Sequence, residues 1–156
     1  MLEAIYGAYT LHWGQADDDG ARQLAGEASY LAELVAAHLP DEPEALGLVT
    51  LLWLCEARRP ARLDAAGGFV PLDEQDTQRW NLALVARANA CLAHAARRRA
   101  PGPYQLEAAV QAAHMQGRLD GVVPWPAIAH LYERLLELSP TIGARIRPSS
   151  PRCAAR

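Results

Sequence analysis

The sequence predicts an all-α domain of about six helices, paired in antiparallel hairpins. Three observations carry this prediction. Of the 156 residues, 51% are hydrophobic and many of these are alanine, whereas only 6% are aromatic. Alanine loses no side-chain entropy in a helix, and the β-branched residues that favour strands are sparse. Apolar residues also recur at spacings of three and four, which is the period of a helix that buries one face.

The first two helices precede the most apolar part of the chain. The first is expected to stop at Gly14, and an acidic loop at residues 17–20 leads into the second, which ends before Pro40. The residues expected to face inward are Leu2, Ile5, Tyr6, Tyr9 and Trp13 in the first helix and Leu24, Ala28, Leu31, Val35 and Leu39 in the second.

A third helix should be the central one, because nearly every residue from 45 to 55 is apolar and a helix that is apolar all round is usually buried. Asp41 followed by Glu44 is a carboxylate version of the capping box, and Pro43 suits a first helical turn. Arg58-Arg59-Pro60 closes the helix.

Residues 61–76 form the longest irregular stretch inside the predicted domain. The stretch contains Gly67-Gly68, and its apolar residues Phe69, Val70 and Leu72 are expected to anchor it to the core. An internal segment of this length without periodicity suggests a function.

A fourth helix is predicted to start near Asp76 and to end in the basic run at residues 97–99, where positive charge suits a helix C-terminus. Its inward residues are expected to be Trp80, Leu84, Cys91 and Leu92.

The fifth helix should run from Gly102-Pro103 to a stop at Gly117, and the sixth should begin at residues 124–126. The sixth helix carries Trp125-x2-Ile128-Ala129-x2-Tyr132, which is close to the first-helix signature of a tetratricopeptide repeat (TPR). A TPR-like stack is therefore predicted, with the small Ala129 at the close approach of a partner helix; a chance match on an amphipathic helix is the alternative. The predicted domain covers residues 1–141, and residues 142–156, rich in Arg, Pro and Ser, are expected to form a disordered or frayed basic tail.

No catalytic, cofactor-binding or metal-binding pattern occurs in the sequence. The five histidines include no pair at i, i+3 or i, i+4, and the chain lacks lysine and hence a phosphate-binding loop. A metal-dependent helical-bundle enzyme would need clustered histidines and carboxylates, so we expect no enzyme, no cofactor and no metal. A net charge of −3 gives no general attraction to nucleic acid or to anionic lipid. Cys55, Cys91 and Cys153 form no CxxC pair, and no apolar run approaches membrane-spanning length, so cytoplasmic residence is expected.

Residues 36–88 contain, in order, Pro40-Asp41-Glu42-Pro43-Glu44, a leucine-rich helix, Ala57-Arg58-Arg59-Pro60-Ala61-Arg62, an Asp and Gly loop, and Glu74-Gln75-Asp76 ahead of Trp80. In this order the elements resemble the C-terminal extension of a group of bacterial extracytoplasmic-function (ECF) RNA polymerase sigma factors. Further on, Gly102-Pro103-Tyr104-Gln105-Leu106-Glu107-Ala108-Ala109 and the helix from Trp125 to Pro140 are similar to the same family. The likeness covers residues 1–144, with Trp80-Asn81 in place of the usual Trp-Asp.

The resemblance implies a regulatory domain that works by contact with the sigma-factor core and through it with RNA polymerase. It marks Asp64, Gly67 and Gly68 as regulatory-loop positions and Arg58, Arg59, Arg62 and Trp80 as candidate interaction residues. The sigma regions that bind DNA and polymerase are not in this chain, so we expect an excised domain, a truncated gene or a frameshifted remnant, with no direct contact to nucleic acid. The alternative is a free-standing TPR-like adaptor that binds a peptide or another protein.

Overall fold

The computed structural model describes residues 1–13 and 19–139, and within them the chain forms six α-helices. These are α1 (Leu2–Trp13), α2 (Asp19–His38), α3 (Pro43–Arg58), α4 (Leu82–Ala96), α5 (Pro103–Asp120) and α6 (Trp125–Leu138). Three short 3-10 turns, Arg59–Ala61, Leu72–Glu74 and Thr77–Arg79, interrupt the connection from α3 to α4. The all-α prediction is confirmed; the predicted tail and most of the acidic loop lie outside the described residues.

Sequential helices pair as hairpins, α1 with α2, α3 with α4 and α5 with α6, and α3 also packs along α5 and against α2. The described helices thus form the antiparallel hairpins that the sequence predicts, but α6 is the second helix of its hairpin and not the first, which is the place that the TPR signature indicated for it. Because α3 has neighbours on several sides, eleven of its sixteen residues are buried. Leu48, Leu52 and Leu54 are 0% exposed, and burying one such side chain contributes about 1.5–3 kcal/mol.

Gly47 sets the distance between α3 and α5. A Cβ atom at this position would lie 2.5 Å from the backbone N of Gln105 and 2.8 Å from its Cα. Only a residue without a side chain permits that approach. The close contact predicted at Ala129 is not there, since Ala129 is exposed in the described structure.

The predicted capping box of α3 is wrong. The N-cap of α3 is Glu42, without a side-chain cap, and the Glu44 carboxylate instead accepts hydrogen bonds from the backbone N–H groups of Tyr104 and Gln105 at 3.0 and 3.1 Å. Asp41 pairs with Arg98 just beyond the end of α4. The reason is the proximity of α5, whose first N–H groups have no partner within their own helix and are bonded by both oxygens of Glu44.

The fourth helix begins at Leu82 and not near Asp76. Asp76 caps a 3-10 turn by accepting from the N–H of Gln78 at 2.9 Å, and the Asn81 side chain caps α4 by accepting from the N–H of Leu84 at 3.0 Å. The backbone N–H of Asn81 donates to the carbonyl of Ala57 at 2.8 Å, which ties the start of α4 to the end of α3.

The fifth helix passes the predicted stop at Gly117 and ends at Asp120, where Gly121 adopts the left-handed conformation with φ +76°. Gly117 serves close packing instead, because a Cβ there would lie 2.7 Å from the Cα of Val123. The return of the chain toward α6 needs this space.

The buried face of α2 agrees with the prediction only in part. Ala28 is buried and Val35 packs against the core as expected, but Leu24, Leu31 and Leu39 are exposed and the rest of the buried face is Ala25, Ala32 and Ala36. Both series repeat at spacings of three and four, and the alanine face allows α2 to approach its neighbours more closely.

Candidate interaction site

Residues 62–70, here called the Asp64 loop, form a narrow antiparallel turn after α3. The N–H of Val70 donates to the carbonyl of Arg62 at 2.8 Å, and the N–H of Asp64 donates to the carbonyl of Gly68 at 2.9 Å. Leu63 and Phe69 face each other between these bonds as an isolated β-bridge. The segment that the sequence marks as irregular therefore has a defined shape.

The structure brings together the three residues predicted for the regulatory loop. The Asp64 carboxylate oxygen Oδ1 accepts from the N–H groups of Ala66 and Gly68 at 2.8 and 2.7 Å. Gly67 has φ +81°, a conformation that other residues adopt at a cost. A Cβ on Gly68 would lie 2.7 Å from Oδ2 of Asp64. These residues shape the turn and hold its tip.

The strand that returns from the tip presents an aromatic ring to the outside. Phe69 was expected to anchor the segment to the core, but it is 63% exposed. The Arg62 guanidinium lies 5.7 Å from the centre of the ring, within the range of a cation–π contact. Phe69 is thus an interaction candidate that sequence reasoning missed, because an isolated apolar residue in a loop gives no sign of facing outward.

The base of the loop is fixed by Gln75, which the sequence offered only as part of the Glu74-Gln75-Asp76 element and not as a site residue. Gln75 is 0% exposed, its side-chain N–H donates to the carbonyl of Val70 at 3.0 Å, and its own carbonyl accepts from Arg118 of α5 at 3.0 Å. The loop is therefore joined to α5 at its base, whereas its tip is exposed.

Arg58, Arg59 and Arg62 lie together at the C-terminal end of α3, where the helix dipole favours positive charge. Arg59 pairs with Glu56, which also accepts from the buried Tyr9 hydroxyl at 2.6 Å. Burial and the neighbouring charges of Arg58 and Arg59 lower the pKa of Arg62. The three arginines thus surround the start of the Asp64 loop.

Trp80, the fourth predicted interaction residue, does not lie on the surface. It is 5% exposed and belongs to the main hydrophobic core, so its packing explains its presence.

Cys55 lies on the inner side of the three arginines. Burial raises the pKa of the Cys55 thiol, and Arg58 opposes this shift.

A second cluster lies across α1, α5 and α6, and the sequence did not indicate it. The Tyr6 hydroxyl donates to Oε2 of Glu107 at 3.0 Å, and the Tyr6 and Tyr104 rings meet edge to face with centres 5.3 Å apart. Burial and, after it, the charge of Glu107 raise the pKa of Tyr132 on α6. Its residues are far apart in sequence, so no local motif reveals it.

Within residues 1–13 and 19–139, no group of three or more His, Cys, Asp or Glu residues is placed to hold a metal ion. No helix in the same part of the chain combines the length and the apolar content that a membrane span requires.

Comparison with known proteins gives one family and one relative of note. An uncharacterized protein from Rhizobium meliloti (strain 1021) is 39% identical over 118 residues, which cover 76% of this chain and 28% of the relative. The chain thus spans less than a third of the length of this relative. No solved structure matches the chain. Residues 1–96 match DUF6596, a family of unknown function, and this match includes α1–α4 and the whole Asp64 loop. The chain belongs to the DUF6596 family.

Proposed function

We propose that the chain is a regulatory protein-interaction domain of an ECF-type RNA polymerase sigma factor. In this proposal it acts in the cytoplasm by contact with the sigma-factor core, and through the core on RNA polymerase, without binding DNA and without catalysis. The resemblance of residues 1–144 to the C-terminal extension of such sigma factors supplies the partner.

The Asp64 loop is the observation that carries the proposal. Its backbone bonds, the Asp64 side chain and the two glycines all act to hold one turn in shape, yet the turn exposes Phe69. A rigid aromatic side chain on a preformed loop binds a partner with little loss of conformational entropy. Core stability alone gives no reason for such a loop.

The length of the Rhizobium meliloti relative agrees with a domain that contacts another domain of the same chain. The matched section is 28% of that protein, so the relative has room for other domains in the same chain. Intramolecular contact of this kind benefits from a high effective concentration and needs little intrinsic affinity.

The test is direct binding between this chain and the two sigma regions of a related sigma factor, expressed separately. We expect a dissociation constant on the order of micromolar, as is usual for transient interfaces. Phe69→Ala should weaken binding at least roughly tenfold, because an aromatic anchor is lost. Val122→Ala, at a 74% exposed apolar position between α5 and α6, is the matched control and should not change binding.

Two results would contradict parts of the proposal. If neither sigma region binds, the sigma-factor function is wrong and the free-standing adaptor is favoured. If the regions bind and Phe69→Ala binds as well as the unchanged chain, the sigma contact stands but the Asp64 loop does not make it. Both altered side chains are exposed, so loss of folding does not confuse the comparison.

A further inference from the structure

We propose that the chain forms a symmetric dimer through the outer face of α2, with the α2 helices of two copies packed antiparallel. This face is a line of exposed side chains, here called the α2 stripe, formed by Leu24, Glu27, Leu31, Leu34 and His38. The inference goes beyond the proposed function, because it concerns the chain alone and needs no sigma region.

α2 has two apolar faces, and only one of them packs inside the domain. Its alanine face lies against the core. The three leucines of the α2 stripe, Leu24, Leu31 and Leu34, remain 45%, 49% and 37% exposed. A surface helix normally carries polar residues opposite its buried face. A second apolar face on the same helix therefore indicates a contact outside the domain.

The spacing of the α2 stripe is that of a coiled-coil seam. Its five positions follow one another in alternating steps of three and four, as the a and d positions of heptads do. The helix has 20 residues and is therefore about 30 Å long. This length accommodates several layers of side chains between two copies.

The polar residues of the stripe favour a second copy as the partner and select the register. When Leu31 packs against Leu34 of the second copy, Glu27 meets His38 of that copy, because both pairs are centred on the same point of α2. The two-fold axis repeats each contact, so two leucine layers lie between two layers of Glu and His. A parallel pair would place Glu27 against Glu27, and a shift by one heptad would bury Glu27 against Leu31.

Both polar residues have a hydrogen-bonding atom left for this contact. No ion pair within residues 1–13 and 19–139 includes Glu27, whose Oε1 accepts only from the exposed Gln23 side chain, at 3.1 Å. Nδ1 of His38 lies 2.8 Å from the carbonyl oxygen of Leu34. A carbonyl only accepts, so Nδ1 carries the hydrogen and Nε2 stays available for the carboxylate of the second copy, which pairs with the protonated ring.

A single helix pair predicts a weak dimer. A standard interface buries about 800 Å² on each partner. The α2 stripe offers less, because its leucines are already about half covered in one copy. We therefore expect a dissociation constant on the order of 100 micromolar.

The experiment is sedimentation equilibrium of the full chain from about 10 micromolar to about 1 millimolar, at about pH 6, where free imidazole is mostly protonated. The average mass should rise from monomer toward dimer. Leu31→Gln should weaken the dimer at least about tenfold, since both leucine layers lose a member. Leu82→Gln is the matched control, at a 51% exposed leucine of α4, and should leave the association unchanged.

A charge exchange tests the register. Glu27→Arg should weaken the dimer about fivefold, because like charges then meet in both polar layers. The double variant Glu27→Arg with His38→Glu restores opposite charges in both layers. Its affinity should return to within about twofold of the unchanged chain.

Three outcomes would overturn the inference. A chain that stays monomeric at about 1 millimolar has no such interface, and the stripe then belongs to a different partner. Equal effects of Leu31→Gln and Leu82→Gln would remove the dimer contact from α2. A double variant as weak as Glu27→Arg alone would contradict the antiparallel register. If circular dichroism shows that Leu31→Gln does not fold, Leu34→Gln removes the same layers and carries the same expectation.

Discussion

Gly47→Ala should destabilise the protein although alanine is the better helix former. In an exposed helix interior this exchange gains about 0.5–1 kcal/mol. Here the added methyl group would lie 2.5, 2.8 and 3.0 Å from backbone atoms of Gln105 and Tyr104. Backbone cannot rotate away as a side chain can, so α5 must shift. Overpacking of this kind costs about 1–3 kcal/mol, and after the helix gain is subtracted we expect a net loss of about 1 kcal/mol.

The matched control is Gly26→Ala in α2, where no atom lies within 4 Å of the added group. This variant should gain about 0.5–1 kcal/mol. Urea unfolding followed by circular dichroism at 222 nm measures both changes. If Gly47 faces the backbone of α5, the two substitutions should change the free energy of unfolding in opposite directions. Equal stabilisation of both variants would refute the close approach of α3 and α5.

Glu44→Ala should lower the free energy of unfolding by about 1–2 kcal/mol, since the first N–H groups of α5 lose their acceptor. Glu42→Ala, at an N-cap without a side-chain bond, should change it little in the same urea titration. Burial raises the pKa of Glu107 above 4.5, so the folded protein holds this proton more tightly than the unfolded chain. This contribution to stability is present below pH 4.5 and is lost as the pH rises through the raised pKa. Glu107→Gln should therefore gain stability relative to the unchanged protein as the pH rises from 4.5 through the raised pKa, whereas Glu133→Gln should show no such trend. Gly121→Ala should cost about 1 kcal/mol in thermal unfolding, because φ +76° strains a residue with a side chain. An equal loss of stability in Glu44→Ala and Glu42→Ala would contradict the cap of α5 by Glu44. The same pH dependence of stability in Glu107→Gln and Glu133→Gln would contradict the burial of Glu107, and an unchanged stability of Gly121→Ala would contradict the left-handed conformation.

The sequence predicts the helices well because apolar spacing reports which segments must bury a face. It identifies α3 as the central helix for the same reason. It fails for α2, where leucines and alanines share one period and only the distance to the neighbouring helices selects the alanine face. It also fails for Gly47 and Gly117, since close approach between distant segments leaves no local signal.

In the candidate site too, the sequence predicts local features but not the contacts between distant segments. Asp64, Gly67 and Gly68 are local turn residues, and the sequence marks them correctly as members of one loop. Phe69, expected as an anchor, is exposed, and Gln75, for which the sequence indicated no burial, is buried. The backbone bonds of the turn place the Phe69 ring outside. Bonds to the carbonyl of Val70 and from the guanidinium of Arg118 hold Gln75 inside. Tyr6 and Glu107 meet only through the fold, 101 positions apart.

The attachment of the Asp64 loop through Gln75 to Arg118 has a mechanical consequence. Phe69 directly precedes Val70, whose carbonyl accepts from the Gln75 side chain, and the Gln75 carbonyl accepts from Arg118 of α5. We therefore expect a displacement of Phe69 to reach α5 through these two hydrogen bonds. The loop should then move as one unit about its hydrogen-bonded base and not independently of the domain. Hydrogen exchange should be slow for the amides at the base, near Val70 and Gln75, and fast for those at residues 65–67. Binding of a partner at Phe69 should slow the exchange of amides in α5.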